Sequence, residues 1–424
     1  MKIAIIGAGS TYTPELMEGI IKRSGSLPVR ELALMDIDAR KLDIVGDLSA
    51  RMAAAAGMDC RVVKTQELDE ALSGADFVLG QIRVGKLPAR VLDEQIPLKY
   101  GMIGQETCGI GGFFKAMRTI PVMLDIARRM ETLCPDAWLI NFSNPAGILT
   151  EAILNHSKIK MLGLCNVPYN MTKSIRSKME LPEARLTYVG LNHLSWITGI
   201  EQDGRDYLQD ALAQGLNSET MKNIPSSGFS QELVQTIGAI PSSYLEYYYF
   251  KNKKLDLLKK AEQSRGQRCM EIEEELLGLY EDAKLHTKPE LLASRGGANY
   301  SEVAISLVDA IWNDKQEEHV VNLLNQGALD FMEDTDAVEI TAVIGKDGAK
   351  PIPVRGLDNA HIRDYMRMVK AYERETVAAA VGGSEEAAMR ALLMNPLVGD
   401  YDAARACFDE LKEAHRDYLP QFRS

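Results

Sequence analysis

Residues 1–14, MKIAIIGAGSTYTP, decide how the first half of the chain folds. A short apolar run, KIAII, leads directly into glycines, which is typical of a buried strand followed by a tight turn. Gly7 and Gly9 match the first two glycines of the dinucleotide-binding pattern G-x-G-x-x-G, where the first allows the turn and the second lets the backbone approach a pyrophosphate. The third position is Tyr12. We therefore expect a nucleotide-binding turn whose helix sits differently against the strand.

The second apolar run, ELALMDID, ends in an acid that supports the same interpretation. Asp36 stands at the end of this run, where a carboxylate accepts hydrogen bonds from a ribose 2′-hydroxyl. A 2′-phosphate would be repelled by that charge, so the sequence predicts NAD rather than NADP. The alternative interpretation is a glycine turn in an α/β sheet that binds nothing.

Further apolar runs continue the alternation of strand and helix. They are CRVVKT, DFVLGQIRVG, AWLINFSNP and KMLGLCNVP, and the segments between them carry apolar residues at helical spacing. Strands that are apolar throughout, alternating with helices, indicate a parallel sheet covered on both faces. The predicted class is α/β, with an N-terminal Rossmann-like, doubly wound parallel sheet over residues 1–166 that binds NAD.

The pattern changes after residue 166. A strand-like stretch at 184–200 precedes helix-rich segments at 244–284, 300–328 and 357–419. The sequence thus predicts a helix-rich α+β second domain, residues 167–424, that carries catalytic and metal-binding groups and contacts between subunits.

Composition excludes several classes of partner. The 424-residue chain has a net charge of −12, whereas nucleic acids and anionic membranes require a broad basic surface. A small anionic substrate remains compatible, because one or two arginines can hold it. The six cysteines show no regular spacing, and neither a leader peptide nor a membrane-spanning run is evident. We expect a cytoplasmic protein with reduced thiols, and a homodimer or homotetramer.

Polar residues follow two strands of the predicted sheet where each strand ends. Asn144 follows the run AWLIN, and Cys165 and Asn166 follow KMLGL, so these residues should meet at the carboxyl edge of the sheet. His193 lies further on, in GLNHLSW. A thiolate and an imidazole are good ligands for a divalent transition metal ion. The competing interpretation is a small buried cysteine and a structural histidine.

Tyrosines and cations supply the remaining candidates. Tyr244 opens the cluster YLEYYY, which by default makes a core or an interface, and which can supply a base only if a nearby cation lowers its pKa. Arg83 follows the fourth strand, and Arg265 stands at the entry of a helix, where an anion is also favoured. Neither arginine would be singled out by itself.

Taken together, these stretches resemble glycoside hydrolase family 4, the NAD- and metal-dependent glycosidases. The matching segments, which with a compatible helical tail cover essentially the whole chain, are GAGSTYTPEL, IRVGK, DEQIPLKYGMIGQETCGIGG, NFSNPAG, LCNVP, YVGLNHLSW, SYLEYYY and SRGQRCMEIE. The segment CNVP looks like that of the 6-phospho-β-glucosidases. The resemblance implies the following roles: Cys165 and His193 as ligands of a Mn²⁺-type ion, Tyr244 as the catalytic base, Arg83 and Arg265 at the 6-phosphate, Asn144 and Asn166 at the sugar, and Gly7, Gly9, Ser10, Thr11 and Asp36 at NAD.

The same resemblance implies an unusual hydrolysis. The sugar would be oxidised at C3, lose a proton at C2, eliminate the group at C1, add water there and be reduced again at C3. The proton donor to the leaving group stays unassigned, although Glu106 lies in a family motif. The alternatives are an NAD-dependent dehydrogenase of hydroxy-acid type that accumulates NADH, a family 4 glycosidase of other sugar specificity, and a non-catalytic NAD-binding regulator. The natural aglycone and the choice between gluco and galacto sugars stay open.

Overall fold

The computed structural model describes residues 1–216, 228–296 and 299–422. In these ranges the chain forms one nine-stranded sheet and one smaller sheet, β7 to β10, packed between helices. The strands are β1 (Lys2–Ile6), β2 (Glu31–Met35), β3 (Arg61–Thr65), β4 (Phe77–Gly80), β5 (Trp138–Asn141), β6 (Lys160–Gly163), β7 (Arg185–Leu191), β8 (Leu194–Gln202), β9 (Arg205–Asp206), β10 (Ile240–Pro241), β11 (Glu317–Leu324), β12 (Ala337–Gly345) and β13 (Gly348–Pro351).

Helices alternate with the first six strands along the chain. They are α1 (Thr13–Lys22), α2 (Ala39–Ala55), α3 (Leu68–Leu72), α4 (Lys86–Lys99), α5 (Gly109–Leu133), α6 (Ala146–His156), α7 (Asn166–Lys178), α8 (Leu208–Ala213), α9 (Gln231–Ile237), α10 (Glu246–Tyr249), α11 (Lys251–Lys260), α12 (Arg265–Tyr280), α13 (Tyr300–Trp312), α14 (Ala360–Gly382), α15 (Glu385–Met394) and α16 (Tyr401–Ala414). Short 3-10 helices occupy Ser243–Leu245, Glu290–Arg295, Arg416–Tyr418 and Pro420–Phe422. No helix in the described ranges has both the length and the apolar character needed to cross a membrane.

The first six strands confirm the predicted doubly wound sheet. They lie in the order β3-β2-β1-β4-β5-β6, and all five pairs between them are parallel. The chain crosses from one side of β1 to the other between β3 and β4, so a crevice opens at the carboxyl ends of β1 and β4. Ligands of open α/β sheets bind at such a switch point.

The second half of the chain also contributes to this sheet. Strands β11, β12 and β13 extend it beyond β6 in antiparallel fashion. The helix-rich segment predicted at 300–328 is therefore wrong beyond Trp312, where α13 ends. The stretch HVVNLL is rich in β-branched and apolar residues, which fit a buried strand. The domain boundary at residue 166 stays a prediction, with the large sheet drawing strands from both sides of it.

The small sheet carries residues of the candidate site at its ends. Strands β7 and β8 form a hairpin that pairs Leu191 with Leu194. Between them His193 has a left-handed φ of 65°, which a type II turn requires at its second central residue. Strand β10 pairs with β8 and leads into the 3-10 helix Ser243–Leu245, which contains Tyr244. The hairpin turn and this 3-10 helix thus stand beside each other, facing the large sheet.

Candidate active site

A cavity of about 570 Å³ lies at the switch point of the large sheet. This volume is in the range of small-molecule sites. Its wall contains residues from both sheets, which the chain brings together from positions hundreds of residues apart. The site residues predicted from the sequence that line it are Gly7, Gly9, Ser10, Asp36, Arg83, Asn144, Asn166, His193 and Tyr244.

The glycine turn forms one end of the cavity. Gly7 has a φ of 88°, and a Cβ added there would lie 2.9 Å from the Gln81 carbonyl oxygen. Gly9 donates its N–H to Asp36 Oδ2 at 2.8 Å, and a Cβ on Gly9 would lie 2.9 Å from the same oxygen. The two glycines therefore let the turn approach β4 and the Asp36 carboxylate closely. Burial raises the pKa of Asp36, although the N–H groups of Asp38 and Gly9 stabilise its charged form.

Three partly exposed apolar or aromatic side chains line the same cavity as this acid. Ile37 is 76% exposed, Tyr418 is 42% exposed and Val122 is 40% exposed, and all three line the cavity. A Cβ added to Gly85 would lie 3.2 Å from the Tyr418 ring, so this ring from the C-terminal segment lies over the start of α4. Exposed apolar groups that converge on one cleft are typical of a ligand site for a flat ring.

Two aromatic rings stack at the other end of the cavity. The His193 and Tyr244 rings are parallel within 5°, with centroids 3.6 Å apart. Cys165 precedes α7 as its N-terminal cap and accepts the Val167 N–H at 3.5 Å. Cys165 does not line the cavity, but its thiol is close enough to raise the pKa of Tyr244. The three residues thus form one cluster.

Burial governs the protonation of this cluster. Burial and the neighbouring Lys115 ammonium lower the pKa of His193 to about 3, so its imidazole is neutral at pH 7. Burial and Glu339 raise the pKa of the Cys165 thiol. Burial also raises the pKa of Tyr244 well above its ordinary value, and Cys165 and Cys108 act in the same direction. Without an added positive charge, the thiol and the phenol both stay protonated.

Such a charge fits the chemistry of the donor set. The cluster offers a neutral imidazole and a thiol that caps the N-terminus of a helix. Both groups bind Mn²⁺- or Zn²⁺-type ions once the thiol has lost its proton. In the described ranges no group of three or more His, Cys, Asp or Glu side chains could hold a metal ion. Two protein donors make an open site, whose remaining positions would be available to ligand oxygens. Ser143 Oγ and Asn144 Oδ1, on the same cavity wall, are buried without a hydrogen-bond partner among the described residues.

Glu106 is the centre of a buried cluster of cations. Arg83 donates to Glu106, Lys115 Nζ lies 2.6 Å from Glu106 Oε2, and Arg90 Nη1 lies 2.8 Å from Glu106 Oε1. Burial opposes ionisation of Glu106, but these three cations outweigh burial and hold its pKa well below the usual range. Glu106 therefore carries no proton to donate at neutral pH. Burial and repulsion by Arg83 lower the pKa of Lys115 to about 7, so this lysine can change charge near neutrality.

Besides Cys165, two of the predicted site residues do not line the cavity. Thr11 is fully buried and does not line the cavity. Arg265 Nη2 donates to the carbonyl oxygens of Ser294 and Arg295, at 3.0 and 2.7 Å. Arg295 itself lines the cavity. Arg265 thus supports the backbone that presents a second arginine to the site.

Several residues of the cavity wall were not predicted from the sequence. Thr107 and Lys115 stand beside Glu106, whose motif GQETCG was the available signal. Tyr300 sits at the start of α13, and Tyr418 comes from the C-terminal segment. Neither tyrosine stands in a recognisable motif, so only the folded chain reveals it.

Two family models match the chain. The model described as "Family 4 glycosyl hydrolase" matches residues 2–181, and the model described as "Family 4 glycosyl hydrolase C-terminal domain" matches residues 188–398. Tyr418 lies beyond both matches.

Similar proteins share almost the full length of the chain. A "Probable 6-phospho-beta-glucosidase" from Bacillus subtilis is 43% identical and covers 100% of this chain and 98% of its own length. A 6-phospho-beta-glucosidase from Escherichia coli is 42% identical over 100% of this chain and 97% of its own. The structure of a 6-phospho-beta glucosidase from Thermotoga maritima with manganese, NAD⁺ and glucose-6-phosphate is 32% identical, has a TM-score of 0.89 and covers 99% of both chains.

Proposed function

The chain belongs to family 4 of the glycosyl hydrolases, as its sequence motifs indicated, and on that premise we propose that it hydrolyses 6-phospho-β-glucosides with NAD and Mn²⁺ as cofactors. One observation carries the proposal: a single cavity joins a dinucleotide-binding turn to the stacked His193 and Tyr244 rings. Manganese, NAD⁺ and glucose-6-phosphate in the related Thermotoga maritima structure support the choice of ligands.

The glycine-turn end of the cavity holds NAD. Gly7, Gly9 and Ser10 leave room for a pyrophosphate at the start of α1, where backbone N–H groups favour a negative charge. Asp36 receives the adenosine ribose. Tyr418, with its exposed ring, covers the adenine. Thr11 is buried behind the turn, so it contributes to NAD binding by holding the backbone of the turn in place.

Cys165 and His193 hold the metal ion. Cys165 is the N-terminal cap of α7, and His193 lies in the turn of the β7–β8 hairpin, so the backbone around each is part of regular structure. His193 is neutral, as a ligand must be. The raised pKa of the Cys165 thiol means that metal binding releases a proton, and that affinity for the ion rises with pH.

The sugar 6-phosphate binds among the cations of the same cavity. Arg83 is 28% exposed in its side chain, whereas Lys115 is 4% exposed, so Arg83 is the more accessible of the two. Arg265 contributes through the loop that carries Arg295. Binding energy collected at the phosphate, remote from the reacting carbons, serves to orient C2 and C3. Asn144 and Asn166 are polar groups on the wall for the sugar hydroxyls.

When bound, NAD would supply reversible hydride transfer at C3 and the metal ion would supply Lewis-acid polarisation, and together they would make the C2 proton acidic. Tyr244 is the base that removes this proton. Its phenol can ionise only when positive charge offsets the burial that raises its pKa, which restricts the base to the loaded site. The stack on His193 holds the Tyr244 ring at a fixed angle. Loss of the C2 proton expels the substituent at C1, and water then adds there.

Several broader assignments accompany this proposal. We assign the protein to the cytoplasm as a homodimer or homotetramer, in keeping with its net charge of −12 and its six free cysteines. We further assign NAD binding to residues 1–166 and the metal, base and subunit contacts to residues 167–424. Size-exclusion chromatography with light scattering tests the oligomeric state.

Hydrolysis of p-nitrophenyl β-glucoside 6-phosphate tests the proposed reaction. The assay is run with and without NAD⁺, Mn²⁺ and a thiol reductant, while nitrophenol and NADH are followed together. Nitrophenol release that requires all three additions, without build-up of NADH, supports the glycosidase. NADH formed in proportion to product supports a dehydrogenase instead, and no turnover of the β or the α anomer refutes the substrate class. A Cys165→Ser variant that stays fully active supports the non-catalytic role of the cluster.

A further inference from the structure

We propose that Thr107 and Gln105 fix the tautomer of His193, with the proton on Nδ1, and so keep Nε2 as the lone-pair nitrogen that a divalent metal ion can bind. The inference rests on the metal site of the proposed function. It follows from the directions of hydrogen bonds in a chain of three side chains, and it makes Thr107 and Gln105 positioning residues.

The first step identifies which atom of Gln105 faces the loop. The backbone N–H groups of Thr107 and Cys108 lie 2.5 and 2.8 Å from Gln105 Oε1. An N–H group can only donate, so the atom between them must be the amide oxygen and not the amide nitrogen. The orientation of the Gln105 amide is therefore determined by two backbone donors whose direction is not in question.

The second step places the hydroxyl proton of Thr107. Thr107 Oγ1 lies 2.8 Å from the same Gln105 oxygen. An amide oxygen only accepts, so the hydroxyl must be the donor in this contact. Besides His193, the hydroxyl also lies 3.9 Å from the Cys108 sulfur, which is a weak acceptor and a poor competitor for the proton. The single proton of Thr107 is thereby committed to Gln105.

The third step reaches the imidazole. His193 Nδ1 lies 3.0 Å from Thr107 Oγ1. Because Thr107 has already used its proton, it accepts in this contact, and Nδ1 must carry the hydrogen. A neutral imidazole has one N–H, so Nε2 carries the lone pair. Ligating histidines are held in this way by a partner on the second ring nitrogen.

The segment that supplies the two positioning residues is itself anchored. Cys108 is the N-terminal cap of α5, a helix of 25 residues that is buried along most of its length. Gln105 is 6% exposed and accepts the N–H of that cap residue. The orientation of the imidazole is thus tied to the longest helix among the described residues, and not to the hairpin turn alone.

The tautomer can be measured without any variant. Long-range ¹H–¹⁵N spectra of the metal-free protein with ¹⁵N-labelled histidine are recorded at pH 7, and His193→Gln identifies the signal. We expect a protonated Nδ1 and an unprotonated Nε2. A protonated Nε2 in the wild-type protein would overturn the inference, and this measurement decides it even if every variant at Thr107 misfolds.

Metal affinity supplies the second readout. Thr107→Val removes the hydroxyl and keeps the shape, whereas Thr107→Ser keeps the hydroxyl and is the matched control. We expect Thr107→Val to weaken Mn²⁺ binding by about 10- to 100-fold in calorimetry and to mix the two tautomers, with Thr107→Ser close to wild type. Wild-type affinity and an unchanged tautomer in Thr107→Val would overturn the inference alone. Failure of the wild-type protein to bind Mn²⁺ would instead overturn the metal site of the proposed function, and this inference with it.

Discussion

A buried carboxyl near Cys165 makes stability depend on pH in a way that can be calculated. Glu339 on β12 accepts hydrogen bonds from Asn192 and Asn322, each at 3.0 Å, and from the Tyr188 hydroxyl at 3.1 Å. All three donors are neutral. Burial therefore prevails and raises the pKa of Glu339 from 4.5 to about 7.

The sign of the effect follows from the direction of this shift. The folded state holds the Glu339 proton more tightly than the unfolded state does, so the stabilisation is complete below pH 4.5 and is lost as the pH rises through about 7. Each pKa unit is worth about 1.4 kcal/mol, and the interval from 4.5 to about 7 is therefore worth about 3 kcal/mol. The Glu339→Gln variant stays neutral at every pH and lacks this dependence.

The experiment compares urea denaturation of metal-free wild type and Glu339→Gln between pH 5 and pH 8.5. We expect the free energy of unfolding of the variant to rise relative to wild type by about 2.5 kcal/mol across this interval, because only the wild type must bury a charge above pH 7. Glu318→Gln, on the neighbouring strand with a side chain 44% exposed, is the control and should leave the pH dependence unchanged. Parallel curves for wild type and Glu339→Gln would refute the reasoning, since they would mean that Glu339 ionises normally in the folded protein.

The other predictions concern the cavity. Asp36→Asn keeps an oxygen for the Gly9 N–H but removes the charge, so NADP should bind about 10-fold more tightly than it does to wild type; unchanged discrimination in calorimetry would argue against a ribose at this acid. Tyr418→Ala should raise the Kd for NAD about 2- to 10-fold, and Tyr418→Phe, which keeps the ring, is the control. Equal affinities of the two variants for NAD would contradict a contact between Tyr418 and adenine. Arg83→Met should raise KM about 10- to 100-fold for a 6-phosphorylated glucoside and only slightly for its unphosphorylated analogue. An equal increase in KM for both substrates would show that Arg83 does not bind the phosphate.

The position of Glu106 among three cations has an electrostatic reason. A buried arginine without a partner would lose its hydration with no compensating interaction. Glu106 offsets this cost because it pairs with Arg83, Arg90 and Lys115 at the same time. Arg90 also pairs with the buried Glu94 carboxylate, so the cluster has a net positive charge only while Lys115 is protonated. Such a net charge would attract a phosphate dianion. The lowered pKa of Lys115 means that part of this attraction is lost as the pH rises through about 7.

The amino-acid sequence by itself determined the doubly wound sheet and the NAD-binding turn. Six apolar runs predicted β1 to β6, and Gly7, Gly9 and Asp36 marked the turn and the acid that the structure brings to one cavity. The family motifs gave the family as well. These features can be predicted because burial pattern, turn geometry and strand length depend on residues that are close together in the sequence. The strand β11 was mistaken for helix because a short apolar run does not distinguish the two conformations.

Only the tertiary structure decided how the side chains of the site meet. Thr107 and His193 are 86 residues apart, and the Tyr244 ring stacks on His193 from a different element. Arg265, which was predicted at the 6-phosphate, donates to the Arg295 carbonyl oxygen, and Tyr418 reaches the cavity from the C-terminal segment. Hydrogen-bond direction, burial and pKa are set by groups that are distant in sequence and close in space, so no local pattern in the chain records them.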